Sequence, residues 1–318
     1  MQMEQPVVLL TGPTASADLP LAVGKSALAL ELARHLEPSG GALIINADSM
    51  QVYHELRIVT ARPTDVDEAQ VPHRLYGILP ATEAWSAAAF CAQAHDAIAE
   101  ARAQGRTALV VGGTGLYLRA LLEGLAPIPT ISAAVREEAR ALMDRVGPEA
   151  FHRLLTEKDP ETAAMLGTTD RQRQTRAWEV FTETGRSLAD WQRQPPEGGI
   201  KGPTVRAVVE RPRDALYARI DARFAAMFEH GGLAEVEAFL ATDPPLDAPA
   251  RRAVGVREMA GFLSGAHNRA DAIALGQQAT RRLAKRQMTW FRNQITNWDR
   301  IEQDSETSVN EFFAKIRV

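Results

Sequence analysis

The sequence predicts an α/β protein: a phosphate-loop-type parallel sheet core with an α-helical insertion and a helical C-terminal region. Three observations carry that prediction. VVLLT (Val7 to Thr11), ALIIN (Ala42 to Asn46) and TALVV (Thr107 to Val111) are short, β-branched runs without polar alternation, the pattern of parallel strands covered on both faces. Helical spacing fills the intervals between them, which makes a βαβ pattern. From about Pro129 to Pro196 strands give way to charged helical stretches, and VRAVV (Val205 to Val209) then returns as a strand.

Taken in order, the first strand leads to a helix predicted over Lys25 to Leu36. The second strand is followed by a helix over Ser86 to Gln104, with Ser86 as N-cap and Gly105 as the C-terminal stop. The strand-free stretch defines a helical insertion over 129–200, leaving 1–128 and 201–318 as the catalytic core. Pro195-Pro196-Glu197-Gly198-Gly199 marks the exit from the insertion. After Arg211 the pattern is helical to the end, broken at Gly231-Gly232 and at Asp243-Pro244-Pro245. There is no internal repeat and no low-complexity segment.

Composition narrows the function classes. With 45% hydrophobic and 24% charged residues and a net charge of -4, the chain is neither disordered nor collagen-like. No run approaches the roughly 20 apolar residues that span a bilayer, so no membrane partner is expected. The N-terminal MQMEQP has none of the basic start and apolar centre of a signal peptide, which predicts a cytoplasmic protein. The single cysteine, Cys91, forms no internal disulfide and no cysteine-based metal cluster, so any metal is expected on oxygen or phosphate ligands. Charge is unevenly spread: Pro249 to Arg300 holds ten Lys/Arg against three Asp/Glu. A basic region on an acidic body fits a polyanionic partner or, more plainly, a solvated helix face.

Chemistry gathers at the strand ends. Gly12-Pro13-Thr14-Ala15 begins like a phosphate loop and Gly24-Lys25-Ser26 finishes like one, supplying glycines for close backbone approach, a lysine for phosphate charge and a hydroxyl for magnesium. Eleven residues separate the two glycines where the motif has about four. Either the two halves join while Ala15 to Leu21 loops outward, or Leu19 to Ser26 forms the loop with leucine in the first glycine position. The first register is favoured, because leucine crowds phosphate whereas added loop length costs little closure entropy. The second strand ends in Asn46-Ala47-Asp48-Ser49-Met50-Gln51, where Asp48 could hold magnesium, accept a proton or cap a helix. The third ends in Gly112-Gly113-Thr114-Gly115, with glycines that permit close approach to a ligand and a hydroxyl that can bond one of its oxygens. Three strand ends thus point to one crevice.

Read together, these motifs resemble the tRNA dimethylallyltransferases. The likeness adds Thr-Ala-Arg-Pro-Thr at 60–64, Val-Pro-His at 71–73, Leu-Leu-Glu-Gly-Leu at 121–125, Asp-Arg-Gln-Arg at 170–173, Arg-Ala-Trp-Glu-Val at 176–180, Gly-Gly-Leu-Ala-Glu-Val at 231–236 and Leu-Ala-Lys-Arg-Gln-Met-Thr-Trp at 283–290. It covers nearly the whole chain. The resemblance implies transfer of a dimethylallyl group from dimethylallyl diphosphate to N6 of the adenosine 3′ of the anticodon, with Mg2+ as cofactor and the tRNA anticodon stem-loop as partner, by a monomer.

Carried over residue by residue, the resemblance makes Asp48, Thr114 and Arg223 catalytic. Gly12, Pro13, Thr14, Ala15, Gly24, Lys25 and Ser26 would bind the diphosphate, with Ser26 on the metal. Contacts to tRNA would come from Asp48, Ser49, Met50, Gln51, Thr114, Arg136, Gln172, Arg173, Arg176, Arg252, Gly255 and Arg257. Beside the split phosphate loop, three positions depart from the family pattern: Val59 stands where a glycine is usual, Arg62 where a lysine is usual, and Val256 where an aromatic ring is usual. Rival classes are a phosphate-loop kinase, a free-nucleotide isopentenyltransferase and a non-catalytic tRNA-binding relative with a disrupted phosphate loop. The first two give no reason for the basic C-terminal helices.

Overall fold

A computed structural model describes residues 5–14, 24–302 and 306–316. The four strands expected from the sequence are present as β1 (Val7–Thr11), β2 (Ala42–Asn46), β4 (Thr107–Gly112) and β5 (Thr204–Glu210). Two edge strands join them, β3 (His73–Arg74) and β6 (Asp299–Glu302). All pairings are parallel, in the order β3-β2-β4-β1-β5-β6. Every residue of β1, β2 and β4 is buried, which is why their sequences carry no polar alternation. The expectation of helix from Arg211 to the end is corrected by β6. Its DRIE sequence is short and mostly charged, and it becomes a strand by pairing with the exposed edge of β5.

Helices α1 (Lys25–His35), α2 (Asp65–Gln70), α3 (Ala87–Ala103) and α4 (Gly115–Glu123) accompany the N-terminal strands. Ser86 caps α3 by accepting from the Ala89 amide at 3.1 Å, and Gly105 follows the helix at φ +67°, a conformation that suits glycine. Then come α5 (Ala133–Lys158), α6 (Pro160–Ala164), α7 (Arg171–Thr184) and α8 (Leu188–Gln192). The C-terminal part holds α9 (Arg213–Glu229), α10 (Gly232–Ala241), α11 (Val256–Leu263), α12 (Arg269–Gln294) and α13 (Glu306–Ala314). One core packs α1 and α13 on the sheet through Leu28, Leu32, Val209 and Phe312; a second packs α9 to α12 through Phe224, Phe239, Val256 and Met259.

The chain divides into two compact units, with boundaries between Leu121 and Leu122 and between Gly199 and Ile200. The second unit, Leu122–Gly199, opens seven residues earlier than the insertion marked out by the sequence at 129. Its two ends are tied by mutual backbone bonds between Leu125 and Glu197, at 2.9 and 2.8 Å. Its core gathers Ile131, Leu155, Ala177 and Val180, and α5 bends at Gly147-Pro148, where Gly147 sits at φ +76°. The buried carboxylate of Asp159 accepts from the Thr162 amide (3.1 Å) and from Ser187 Oγ (2.9 Å), joining the starts of α6 and α8.

Candidate active site

The site is built at the carboxyl ends of β1, β2 and β4. Asn46, the last residue of β2, is fully buried and satisfies a turn with its side chain: Nδ2 donates to the carbonyls of Leu75 (2.9 Å) and Asp48 (3.0 Å), and Oδ1 accepts from the Asp48 amide (2.8 Å). Asp48 is thereby held just past the strand. Its Oδ1 accepts from the Met50 amide at 3.0 Å, while Oδ2 lies beside Gly113. From β4, the Thr114 amide donates to the Ala47 carbonyl (3.2 Å), and Thr114 Oγ1 accepts from the Ser49 amide (3.0 Å) and donates to Ser49 Oγ (3.3 Å). Thus Asp48, Ser49 and Thr114 form one hydrogen-bonded turn.

The opposite wall is basic. Arg223, on α9, donates from Nη2 to Thr14 Oγ1 at 2.9 Å. Lys25 is the first residue of α1, which starts from an extended Gly24 without a side-chain cap. Burial lowers Lys25 to about 8, opposed by Asp48 and assisted by Arg223. Burial likewise lowers Arg223 to about 10, again opposed by Asp48, with the neighbouring Arg219 adding to the depression. Each cation therefore senses the same carboxylate and at least one other cation. A desolvated pocket with more positive than negative charge has electrostatic room for an anion. Thr14, Asp48, Thr60, Arg223 and Gln287 line one cavity, together with an apolar wall that includes Met50, Ile220, Phe224 and Met227. The lining thus offers both polar groups that can take an anion and apolar surface that can take a hydrocarbon.

The glycines at the strand ends are crowded by protein on one side. A β-carbon on Gly12 would stand 2.8 Å from the Val209 carbonyl oxygen of β5. On Gly112 it would meet the Ala47 backbone at 2.1 Å, on Gly113 it would meet Gln287 Nε2 at 2.4 Å, and on Gly115 it would strike the Trp290 ring at 2.3 Å. These glycines let protein approach protein on the side where a β-carbon would stand. Ala15, and the Ala15 to Leu21 excursion that decides between the two phosphate-loop registers, lie outside the described residues. Gly12, Pro13 and Thr14 close β1, and Ser26 is exposed on the first turn of α1.

Gln51 braces the neighbouring loop from within, where its Nε2 donates to the carbonyls of Thr60 (2.9 Å) and Ala61 (2.8 Å). On the other side of that loop, the Glu235 carboxylate accepts the successive amides of Arg57 (2.6 Å), Ile58 (2.8 Å) and Val59 (2.8 Å). Val59 needs no glycine-like backbone; the left-handed residue is Ala61, at φ +54°. Gly255 (φ +109°) starts α11, and Val256 is buried in the core there. Arg252 and Arg257 are exposed in the same region. In the second unit Arg136, Gln172 and Arg173 are exposed, and Arg176 pairs with Glu179 at 3.4 Å.

Two residues of the site are not evident from the sequence, although both fall within motifs that carry the family resemblance. Gln287 Oε1 accepts from the Thr14 amide (2.8 Å), and its Nε2 donates to the Gly113 carbonyl (3.0 Å). Glu235 is the other. Motif membership is the only signal that points to them, because a neutral amide or a helix glutamate gives no chemical hint of what it faces.

A parallel sheet whose strand ends carry a carboxylate against a cationic, partly apolar cleft defines an α/β enzyme suited to an anionic substrate with a hydrocarbon part. The model of the IPP transferase family matches residues 51–294, and the chain belongs to that family. Among its relatives are the tRNA dimethylallyltransferase of Azorhizobium caulinodans, 48% identical over 299 residues and covering 94% of this chain and 92% of that one, and that of Paramagnetospirillum magneticum, 46% identical over 313 residues and covering 98% and 96%. Of solved structures, the tRNA isopentenylpyrophosphate transferase from Bacillus halodurans is 32% identical with a TM-score of 0.66, covering 98% of this chain and 95% of that chain. A eukaryotic dimethylallyltransferase acting on tRNA shares the fold, at 22% identity and a TM-score of 0.80, over 96% of this chain and 75% of that one. Among the described residues no helix is long and apolar enough to cross a membrane.

Proposed function

We propose that the protein transfers a dimethylallyl group from dimethylallyl diphosphate to N6 of the adenosine 3′ of the anticodon in tRNA. The observation that carries this reading is the convergence of Asp48 with Lys25, Arg223, Thr14 and Thr114 at the strand ends. Adenine N6 is a weak nucleophile because its lone pair is delocalised into the ring. Asp48 accepts a hydrogen bond from the amine and takes its proton as N6 attacks the allylic carbon. The new C–N bond forms as the C–O bond to diphosphate breaks, and the electron pair leaves with the diphosphate.

Lys25 and Arg223 stabilise that departing charge in a poorly solvated pocket, where fixed charges act strongly. Thr114 can turn its hydroxyl proton from Ser49 Oγ to an oxygen of the substrate. The apolar wall of Met50, Ile220, Phe224 and Met227 takes the prenyl tail. Magnesium suits one donor present, the hydroxyl of Ser26, exposed on the first turn of α1. Ser26 and diphosphate oxygens would hold Mg2+, which keeps water and phosphate ligands readily and would neutralise leaving-group charge. The reading takes the protein to act as a monomer in the cytoplasm, on the tRNA anticodon stem-loop. In a test with Mg2+, labelled dimethylallyl diphosphate and unmodified tRNA, label appears on the anticodon-loop adenosine; tRNA binding without label would leave only a non-catalytic binder.

A further inference from the structure

Gln287 ties together the residues that follow two neighbouring strands, β1 and β4, beyond the last strand pair, Thr11 with Gly112. It lies on α12 and reaches into the site from the side opposite the strands, where its amide makes two bonds to two different strand ends: Oε1 to the Thr14 amide at 2.8 Å and Nε2 to the Gly113 carbonyl at 3.0 Å. A donor faces the oxygen and an acceptor faces the nitrogen, so the pairing fixes which way the amide is turned. Thr14 belongs to the leaving-group side, where its hydroxyl accepts from Arg223. Gly113 belongs to the proton-accepting side, where it precedes Thr114 and lies beside Asp48 Oδ2. Gln287 is a side chain from outside the sheet that touches both of these halves. Three residues on, Trp290 packs its ring where Gly115 lacks a β-carbon, so α12 grips the same turn twice.

We infer that Gln287 is a positioning residue for prenyl transfer, fixing the distance between the Thr14 side of the diphosphate site and the Gly113–Thr114 turn that orients Asp48. The inference rests on the transfer reading above. Gln287 touches neither reacting atom; it acts through Thr14 and Gly113. Because transfer needs nucleophile, allylic carbon and leaving group in line, a shift of about 1 Å between the halves costs up to about 100-fold in rate. RNA affinity does not depend on that spacing.

Gln287→Met keeps the length and removes both bonds, and Gly113→Ala drives a β-carbon against Nε2 and displaces the same side chain. Each variant is expected to slow single-turnover transfer, at saturating tRNA and diphosphate, by about 10- to 100-fold, with the dissociation constant for tRNA within about twofold of the parent and an unaltered melting midpoint. The double variant Gly113→Ala/Gln287→Met is expected to be no slower than the worse single variant, because both changes break one contact. A parent-like rate in Gln287→Met overturns the inference, as does a double variant whose losses multiply, or loss of tRNA affinity in step with rate. Should Gln287→Met not fold, Gly113→Ala alone carries the test: a parent-like rate overturns the inference, and slowed transfer with tRNA affinity kept supports it. An inactive parent protein would instead refute the transfer reading itself.

Discussion

At the scale of single residues, the proposed transfer turns on one carboxylate as proton acceptor and one lysine beside the diphosphate. Asp48 also holds its own turn, through Oδ1 and the Met50 amide. Asparagine preserves that oxygen, so Asp48→Asn keeps the turn and loses the proton acceptor. Turnover is expected to fall by about 10² or more with tRNA affinity little changed, and steady-state kinetics beside a binding titration check it; near-normal turnover would remove Asp48 from the role. Lys25 gives a pH prediction. In the proposed reaction its protonated form attracts the diphosphate, and burial lowers it to about 8. As pH rises through that value the charge is lost, so kcat/KM for dimethylallyl diphosphate falls above pH about 8 while kcat, measured with the diphosphate already holding the proton on, falls later. In Lys25→Arg the alkaline fall should vanish from that range; an identical profile would assign it to another group. Asp48 is legible in the sequence as a carboxylate just past a buried strand, and Lys25 as part of the Gly-Lys-Ser that opens a helix. Gln287 and Glu235 are not, since their roles come from residues 273 and about 177 positions away.

At the scale of elements, the buried strands are legible in the sequence and the edges are not. β1, β2 and β4 announce themselves because burial on both faces forces apolar runs, whereas β6 depends on a neighbour that no local pattern reveals. The capped start of α3 is equally legible, because Ser86 satisfies an orphan amide locally. Helix-to-helix fit is hidden. On α12, Gly276 faces Phe224 of α9 so closely that an added β-carbon would stand 1.9 Å from Cζ of the ring. Phe224 is 2% exposed and packed among Val59, Val256 and Met259 in the second core, so the ring has little freedom to withdraw on that side. Gly276→Ala should therefore destabilise the protein by about 1–3 kcal/mol through overpacking, despite alanine's better helix propensity. Urea unfolding measures this, and Phe224→Leu added to Gly276→Ala should recover part of the loss. Equal stability of Gly276→Ala and the parent would mean that α9 and α12 can separate without cost.

At the scale of the whole molecule, the basic character read from Pro249 to Arg300 and the arginines carried over to the insertion belong to different compact units, a division visible in the sequence only as a gap between strands. The two sets also differ in their local electrostatics. Arg252 and Arg257, in the first unit, are exposed near Gly255. In the second unit Arg173 lies 3.5 Å from Asp170 and Arg176 3.4 Å from Glu179, so on the proposed reading an RNA phosphate there would compete with an existing carboxylate. Such exposed pairs are worth only about 0–1 kcal/mol, so phosphate can replace them, but with a smaller net gain than at an uncompensated arginine. Counterion release gives the measurable quantity: each phosphate contact removed flattens the dependence of log K on log salt by about one unit. Arg252→Ala/Arg257→Ala should flatten the slope by about two units, and Arg173→Ala/Arg176→Ala should flatten it as well but lower the affinity less. Binding titrations over a salt series with the same tRNA separate the two effects. Unchanged slopes in both double variants would transfer the phosphate contacts to another face, with the Arg282, Lys285 and Arg286 side of α12 the next to remove.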